Sequence, residues 1–203
     1  MIRILFALAL ILTVAAPVAA ECASGTVTVE LSNDPGFENL YKYTVNLEWS
    51  LGTFALSHPT LFIDLENCEC VCDPSVVVFD TPAGSSSSEE EGVSCDNGYY
   101  GDYVCSGDPS LPATMNGPAV KWDPDETVCT PGLSGTGTFC FYSPLPPGSE
   151  MTVTDAIAIK HGEEVCYGDV VGMLPICNCT VGNHDHSVSS LRGQYDEEDE
   201  DEE

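Results

Sequence analysis

The side chains of this sequence that could do chemistry are mostly carboxylates and sulfurs. Asp123, Asp125 and Glu126 cluster in Trp122-Asp123-Pro124-Asp125-Glu126, and Asp96-Asn97-Gly98 with Asp102 forms a second oxygen-rich loop between Cys95 and Cys105. Calcium takes about six to eight oxygens in a flexible geometry, so Asp96, Asp102, Asp123, Asp125 and Glu126 are candidate calcium ligands; neither stretch has EF-hand spacing, and solvated turn acids are the simpler reading. Two carboxyls could also hydrolyse a glycan, but that depends on their separation across a cleft, which only a fold sets.

Nucleophilic catalysis has less to build on. Gly132-Leu133-Ser134-Gly135-Thr136 lacks the last glycine of a G-x-S-x-G elbow. A reactive thiolate needs an electropositive niche, and the chain has almost no cations to make one. His58 follows Ser57 in an apolar stretch and reads as a core-edge residue bonding backbone. His184 and His186 flank Asp185, a spacing that binds copper or nickel weakly, with two exposed loop histidines as the plainer alternative. Asn178-Cys179-Thr180 satisfies the N-x-[ST] glycosylation rule around an intervening cysteine. Tyr99, Tyr100 and Tyr103, together with Trp122, are the aromatics that could line up as a sugar platform or anchor a loop beside a disulfide.

The eleven cysteines are Cys22, Cys68, Cys70, Cys72, Cys95, Cys105, Cys129, Cys140, Cys166, Cys177 and Cys179. Their close spacings are C-x-C-x-C and C-x-C rather than the paired C-x-x-C of zinc sites, so disulfides are expected. Cysteines two apart on an extended strand point to one face and need partners on other strands. Cys95/Cys105 and Cys129/Cys140 are close enough in sequence to close locally, one of many possible pairings. An odd total leaves one thiol buried or open to covalent dimerisation.

Charge narrows the partners. The 203 residues hold 33 Asp+Glu against 5 Lys+Arg, a formal net charge of −28. Nucleic acid is excluded, because a phosphate backbone needs a cationic stripe, and an anionic membrane surface is a poor match. Arg3, the apolar run Ile4–Ala16 and Pro17-Val18-Ala19-Ala20 read as an export signal over residues 1–20. No later run is apolar enough for a transmembrane helix. A secreted location follows, in the medium, a periplasm or a secretory lumen, where disulfides persist.

Residues 21–182 then form one domain, and its patterning is strand-like throughout. Thr26–Leu31 and Tyr41–Trp49 alternate apolar and polar residues with aromatic and β-branched side chains. Further strands are expected at Pro59–Leu65, Ser75–Phe79, Ala119–Trp122, Gly137–Tyr142, Met151–Ile159 and Val165–Val171, separated by Pro/Gly turns such as Asn33-Asp34-Pro35-Gly36. This predicts an all-β fold, a disulfide-rich antiparallel sandwich or barrel, with the β-sandwich the expected form. Ser85–Glu91 reads as an exposed loop, and residues 183–203, ending in eight consecutive acids, as a disordered acidic tail.

Four segments, Ala55-Leu56-Ser57-His58, Ala119-Val120-Lys121-Trp122-Asp123, Gly137–Tyr142 and Ala156–Gly162, resemble in type and order a group of largely uncharacterised secreted or cell-surface β-sandwich proteins. That group carries L-S-H, G-[IV]-K-x-D-like, F-x-F and V-x-[IV]-K-x-G elements, and here Pro118-Ala119 replaces the usual glycine before Val120. The resemblance spans about Tyr41 to Cys179 and implies a non-enzymatic extracellular domain. Lys121 and Lys160, each within one of these elements, are expected to pair with carboxylates such as Asp123 or Asp64. The expected function is therefore a structural, adhesion or cation-binding surface protein. Calcium, other divalent cations, cationic surfaces or extracellular glycans are its candidate partners, and a glycan hydrolase or carbohydrate-binding module is the alternative.

Overall fold

The computed structural model describes residues 22–63, 74–88, 90, 93–105, 107–112 and 117–176. Among them nine strands form: β1 Ala23–Leu31, β2 Tyr41–Ser50, β3 His58–Phe62, β4 Gly84–Ser87, β5 Ser94–Val104, β6 Ala119–Pro124, β7 Ser134–Ser143, β8 Met151–His161 and β9 Glu164–Gly172. The two-residue alternation read from the sequence sets their faces. Tyr43, Val45, Leu47 and Trp49 of β2 point inward and are buried, while Asn46 and Glu48 between them are exposed.

The expected sandwich is corrected to a closed barrel, in the order β1-β2-β7-β4-β5-β6-β3-β8-β9. The two strands that would be open edges, β1 and β9, pair with each other in parallel, from Ala23 opposite Gly168 to Val27 opposite Gly172. An unpaired edge is a template for aggregation, and closure removes it. Glycine permits the seam: a Cβ at Gly168 would run into the Ala23 carbonyl.

Side chains fill the interior. Trp122, Tyr43, Tyr99, Phe139, Phe141, Leu61, Ile157 and Ile159 are all almost fully buried. Tyr43 stacks on Phe141 with ring centroids 4.9 Å apart, and Tyr99 meets Phe139 edge-on at the same separation. Outside, β1, β2 and β7 carry Ser, Thr, Asn and Glu, the reverse of the apolar belt of a lipid-facing barrel. Among the described residues no helix is long and apolar enough to cross a membrane.

Three elements differ from the sequence reading. The oxygen-rich stretch between Cys95 and Cys105 is the strand β5 rather than a loop. Its glycines read as turn signals, but Gly101 serves a close approach, since a Cβ there would enter the Phe79 ring. Ser85–Ser87 belongs to strand β4, where buried Ser86 meets the Tyr99 hydroxyl at 2.8 Å. Ser75–Phe79 is no strand; Pro74–Val76 makes a 3-10 turn and Val78 a single bridge to Tyr142.

The local disulfides are corrected as well. Cys95 bonds Cys129, Cys22 bonds Cys166, Cys105 is also disulfide-bonded, and Cys140 is free and half-buried. With β5 extended, ten residue steps separate Cys95 from Cys105 by roughly 33 Å, far beyond disulfide reach. Cys129 instead returns over Cys95 after β6. Cys68, Cys70, Cys72, Cys177 and Cys179, residues 1–20, Asp64, Asn178, His184, His186 and the 183–203 tail lie outside the described residues.

Candidate functional site

The barrel exterior is covered on one side and open on another, and each side holds a group of polar side chains. On the covered side, residues 107–112 cross β3 and β6. Leu111 packs with Phe62, Ala119 and Ala158 in a small apolar cluster outside the barrel. Beside it the L-S-H and V-K-x-D segments come together. His58 opens β3, Thr60 lies two residues further on the same face, and Lys121 of β6 stands opposite Thr60.

Asp108 is the centre of this group, with its side chain 1 % exposed. One oxygen is 3.0 Å from His58 Nε2 and accepts the Thr60 hydroxyl at 3.2 Å. The other accepts the Ser110 backbone N–H at 2.9 Å and the Ser110 hydroxyl at 2.7 Å. Lys121 Nζ lies 4.0 Å from Asp108 and 3.0 Å from Asp123, whose carboxylate is 3.7 Å from His58 Nδ1. Burial works to raise the Asp108 pKa, but the Ser110 bonds, His58 and Lys121 outweigh it and hold the carboxyl below its usual range. Burial, then the Lys121 charge, pushes the His58 pKa down.

This is a Ser, His and Asp assembly that braces the 107–112 segment, with the imidazole bonded at both ring nitrogens. In a triad the acid holds one ring nitrogen and the nucleophile sits on the other. Here Asp108 and Ser110 share Nε2, the Ser110 hydroxyl is bound to Asp108, and the Ser57 hydroxyl at 3.2 Å faces Nδ1. The arrangement fastens the 107–112 segment to the barrel.

The expected Lys121–Asp123 pair is present. Lys160 stands opposite His58 on β8 and has no ion-pair partner among the described residues. Lys121→Met is expected to lower stability by about 1 kcal/mol, seen as a fall in melting temperature that Lys160→Met does not reproduce. An unchanged melting temperature for Lys121→Met would remove its bracing role.

The five calcium candidates sit in different surroundings. Asp123 belongs to the brace. Asp125 accepts the Thr127 backbone N–H and hydroxyl at 3.0 and 2.6 Å and the Tyr100 hydroxyl at 2.6 Å. These bonds, Thr127 first, hold its pKa below the usual range. Asp96, Asp102 and Glu126 are exposed, Asp102 opposite Lys121. Among the described residues no three His, Cys, Asp or Glu side chains are grouped as a metal ligand set. The aromatic candidates separate too: Trp122 and Tyr99 are core, and Tyr100 is exposed.

The open side carries a trough of about 670 Å³ across β9, β1, β2 and β7. Register places two ranks of outward side chains along it. One runs Asp169, Ser24, Glu48, Thr136 and on to Ser87 of β4. The other runs Val171, Thr26, Asn46, Thr138 and Ser85. Between them Gly25, Leu47 and Gly137 form the floor. Glu48 lines this trough and two adjoining hollows of about 520 and 220 Å³ that reach Trp49. The Thr138 hydroxyl donates to Asn46 at 3.0 Å, and Asp169 accepts the Asp155 backbone N–H at 3.0 Å. The Glu48 carboxylate makes no hydrogen bond or ion pair with any described residue.

Sequence reasoning missed both centres. Asp108-Pro109-Ser110 reads only as a turn, and nothing local announces that it seats on His58. Glu48 and its neighbours had a signal, the polar half of the alternation in Thr26-Val27-Thr28 and Asn46-Leu47-Glu48, used only to place strands. No protein-family model matches the chain, and no curated protein or solved structure matches it.

Proposed function

We propose that this is a secreted, non-enzymatic surface or adhesion domain that works by binding cationic partners. The observation that supports this best is the charge imbalance of the whole chain, 33 acids against 5 bases, with two of those bases ion-paired on the barrel. Lys42 is held by Asp34 at 2.7 Å and Lys121 by Asp123. Exposed acids of the described residues, among them Glu48, Asp96, Asp102 and Glu126, give the barrel exterior a field that attracts cations and repels polyanions.

The test is retention of the purified chain on cationic and anionic beads over a salt series. Retention on cationic beads alone, lost as salt screens exposed charge, is the expected result. Salt-independent retention, retention on both bead types, or turnover of a glycan substrate would overturn the reading. Calcium belongs to the same proposal as a small cationic ligand of the acidic turns. Melting curves with calcium and with chelator then separate by mass action if it binds, and coincide if it does not.

A further inference from the structure

Resting on the proposal of a cation-binding surface, we infer that the open trough is the specific site, and that it takes a linear amino-sugar polymer laid across the strands. Three properties of the trough support this ligand class.

The first is charge. Its charged side chains are the acids Glu48 and Asp169, with no Lys, Arg or His along it. Glu48, in the middle, has no side-chain partner among the described residues, so an ammonium group there gains a carboxylate without breaking an existing bond. A neutral or anionic polymer gains nothing equivalent.

The second is hydrogen-bonding chemistry. Thr136, Thr138, Ser24, Thr26 and Asn46 present hydroxyl and amide groups, which both donate and accept. Sugar hydroxyls need such groups; a lysine-rich peptide does not use them as fully.

The third is spacing. Side chains on neighbouring strands repeat about every 4.8 Å, close to the advance of one β-1,4-linked sugar. A flat polymer running perpendicular to the strands therefore meets one strand per sugar. The two ranks flank it, and the backbone at Gly25, Leu47 and Gly137 lies between them.

The test is calorimetric titration at moderate salt with three probes: a glucosamine hexamer, its fully N-acetylated counterpart, and oligolysine of similar charge. The unaltered protein is expected to bind the glucosamine hexamer at least about tenfold more tightly than either other probe. Glu48→Gln is expected to weaken the hexamer by about tenfold or more. Asn46→Trp, which fills the trough from an exposed position, is expected to abolish it, with the melting temperature of both variants unchanged. Glu163→Gln removes an equal charge from the exposed turn between β8 and β9, away from the trough, and should leave binding unaltered. If oligolysine binds as well as the hexamer and neither trough variant matters, the trough inference fails while the cation-binding proposal stands. If no cationic probe binds, both fail.

Discussion

Asp108→Ala is expected to destabilise the barrel by about 3–5 kcal/mol, the range for removing one member of a buried, hydrogen-bonded charged group. The cause is what stays behind. His58, Thr60 and Ser110 all point at the lost carboxylate and lose their partner with it, while Lys121 keeps only Asp123. Asp108→Asn preserves the shape and some of the bonds, and should cost less, about 1–3 kcal/mol. Chemical denaturation at neutral pH measures both, and Asp108→Ala within about 0.5 kcal/mol of the parent would show that the brace carries no weight.

The same group sets a pH dependence with two parts. The His58 pKa is lowered by folding, so below its ordinary value the unfolded chain binds a proton that the folded chain refuses, and stability falls as pH drops from about 6.5. The Asp108 pKa is also lowered, so its contribution is complete above the unfolded value near 4 and disappears as pH falls through the folded one. His58→Gln should remove the first decline and leave the second. Asp108→Asn should shrink the second, leaving the part that Asp125 and Asp34 contribute.

Trp122→Ala is expected to cost about 3–5 kcal/mol, as for other fully buried aromatics cut to a methyl. The ring lies 5.2 Å from Phe139 and 6.4 Å from Phe141, and its N–H reaches the Cys140 carbonyl at 3.4 Å. β6 therefore grips β7 across the barrel interior, and the loss should lower the melting temperature by many degrees. Trp122→Phe should recover much of it. A mild effect of the alanine would mean that the interior collapses easily around the gap.

The strands that alternate cleanly were legible because burial on one face imposes the pattern. Tyr41–Trp49 announces β2 to within a residue of its observed bounds. Where a strand is built from glycine, serine and aspartate the pattern vanishes: β5 hides its inward residues Cys95 and Tyr99 among turn formers, and β4 has only Ser86 to bury. Closure was illegible for another reason. Whether β1 and β9 meet depends on accumulated twist and on backbone approach at Gly168, neither of which is a property of a local window. The brace followed the same logic. Its His58, Lys121 and Asp123 stood in segments that had drawn notice, but its central carboxylate comes from a turn whose destination is tertiary.

The pairing of β1 with β9 also governs the order of assembly. β1 has β2 available as soon as that hairpin is made, but its other neighbour is the ninth strand, and Cys22 waits for Cys166 across 144 residues of sequence. Contacts this distant are slow to form. A nascent polypeptide thus holds a sticky, half-matched ribbon until β9 has been translated, so a premature stop before Glu164 should yield a product that precipitates rather than a smaller folded one.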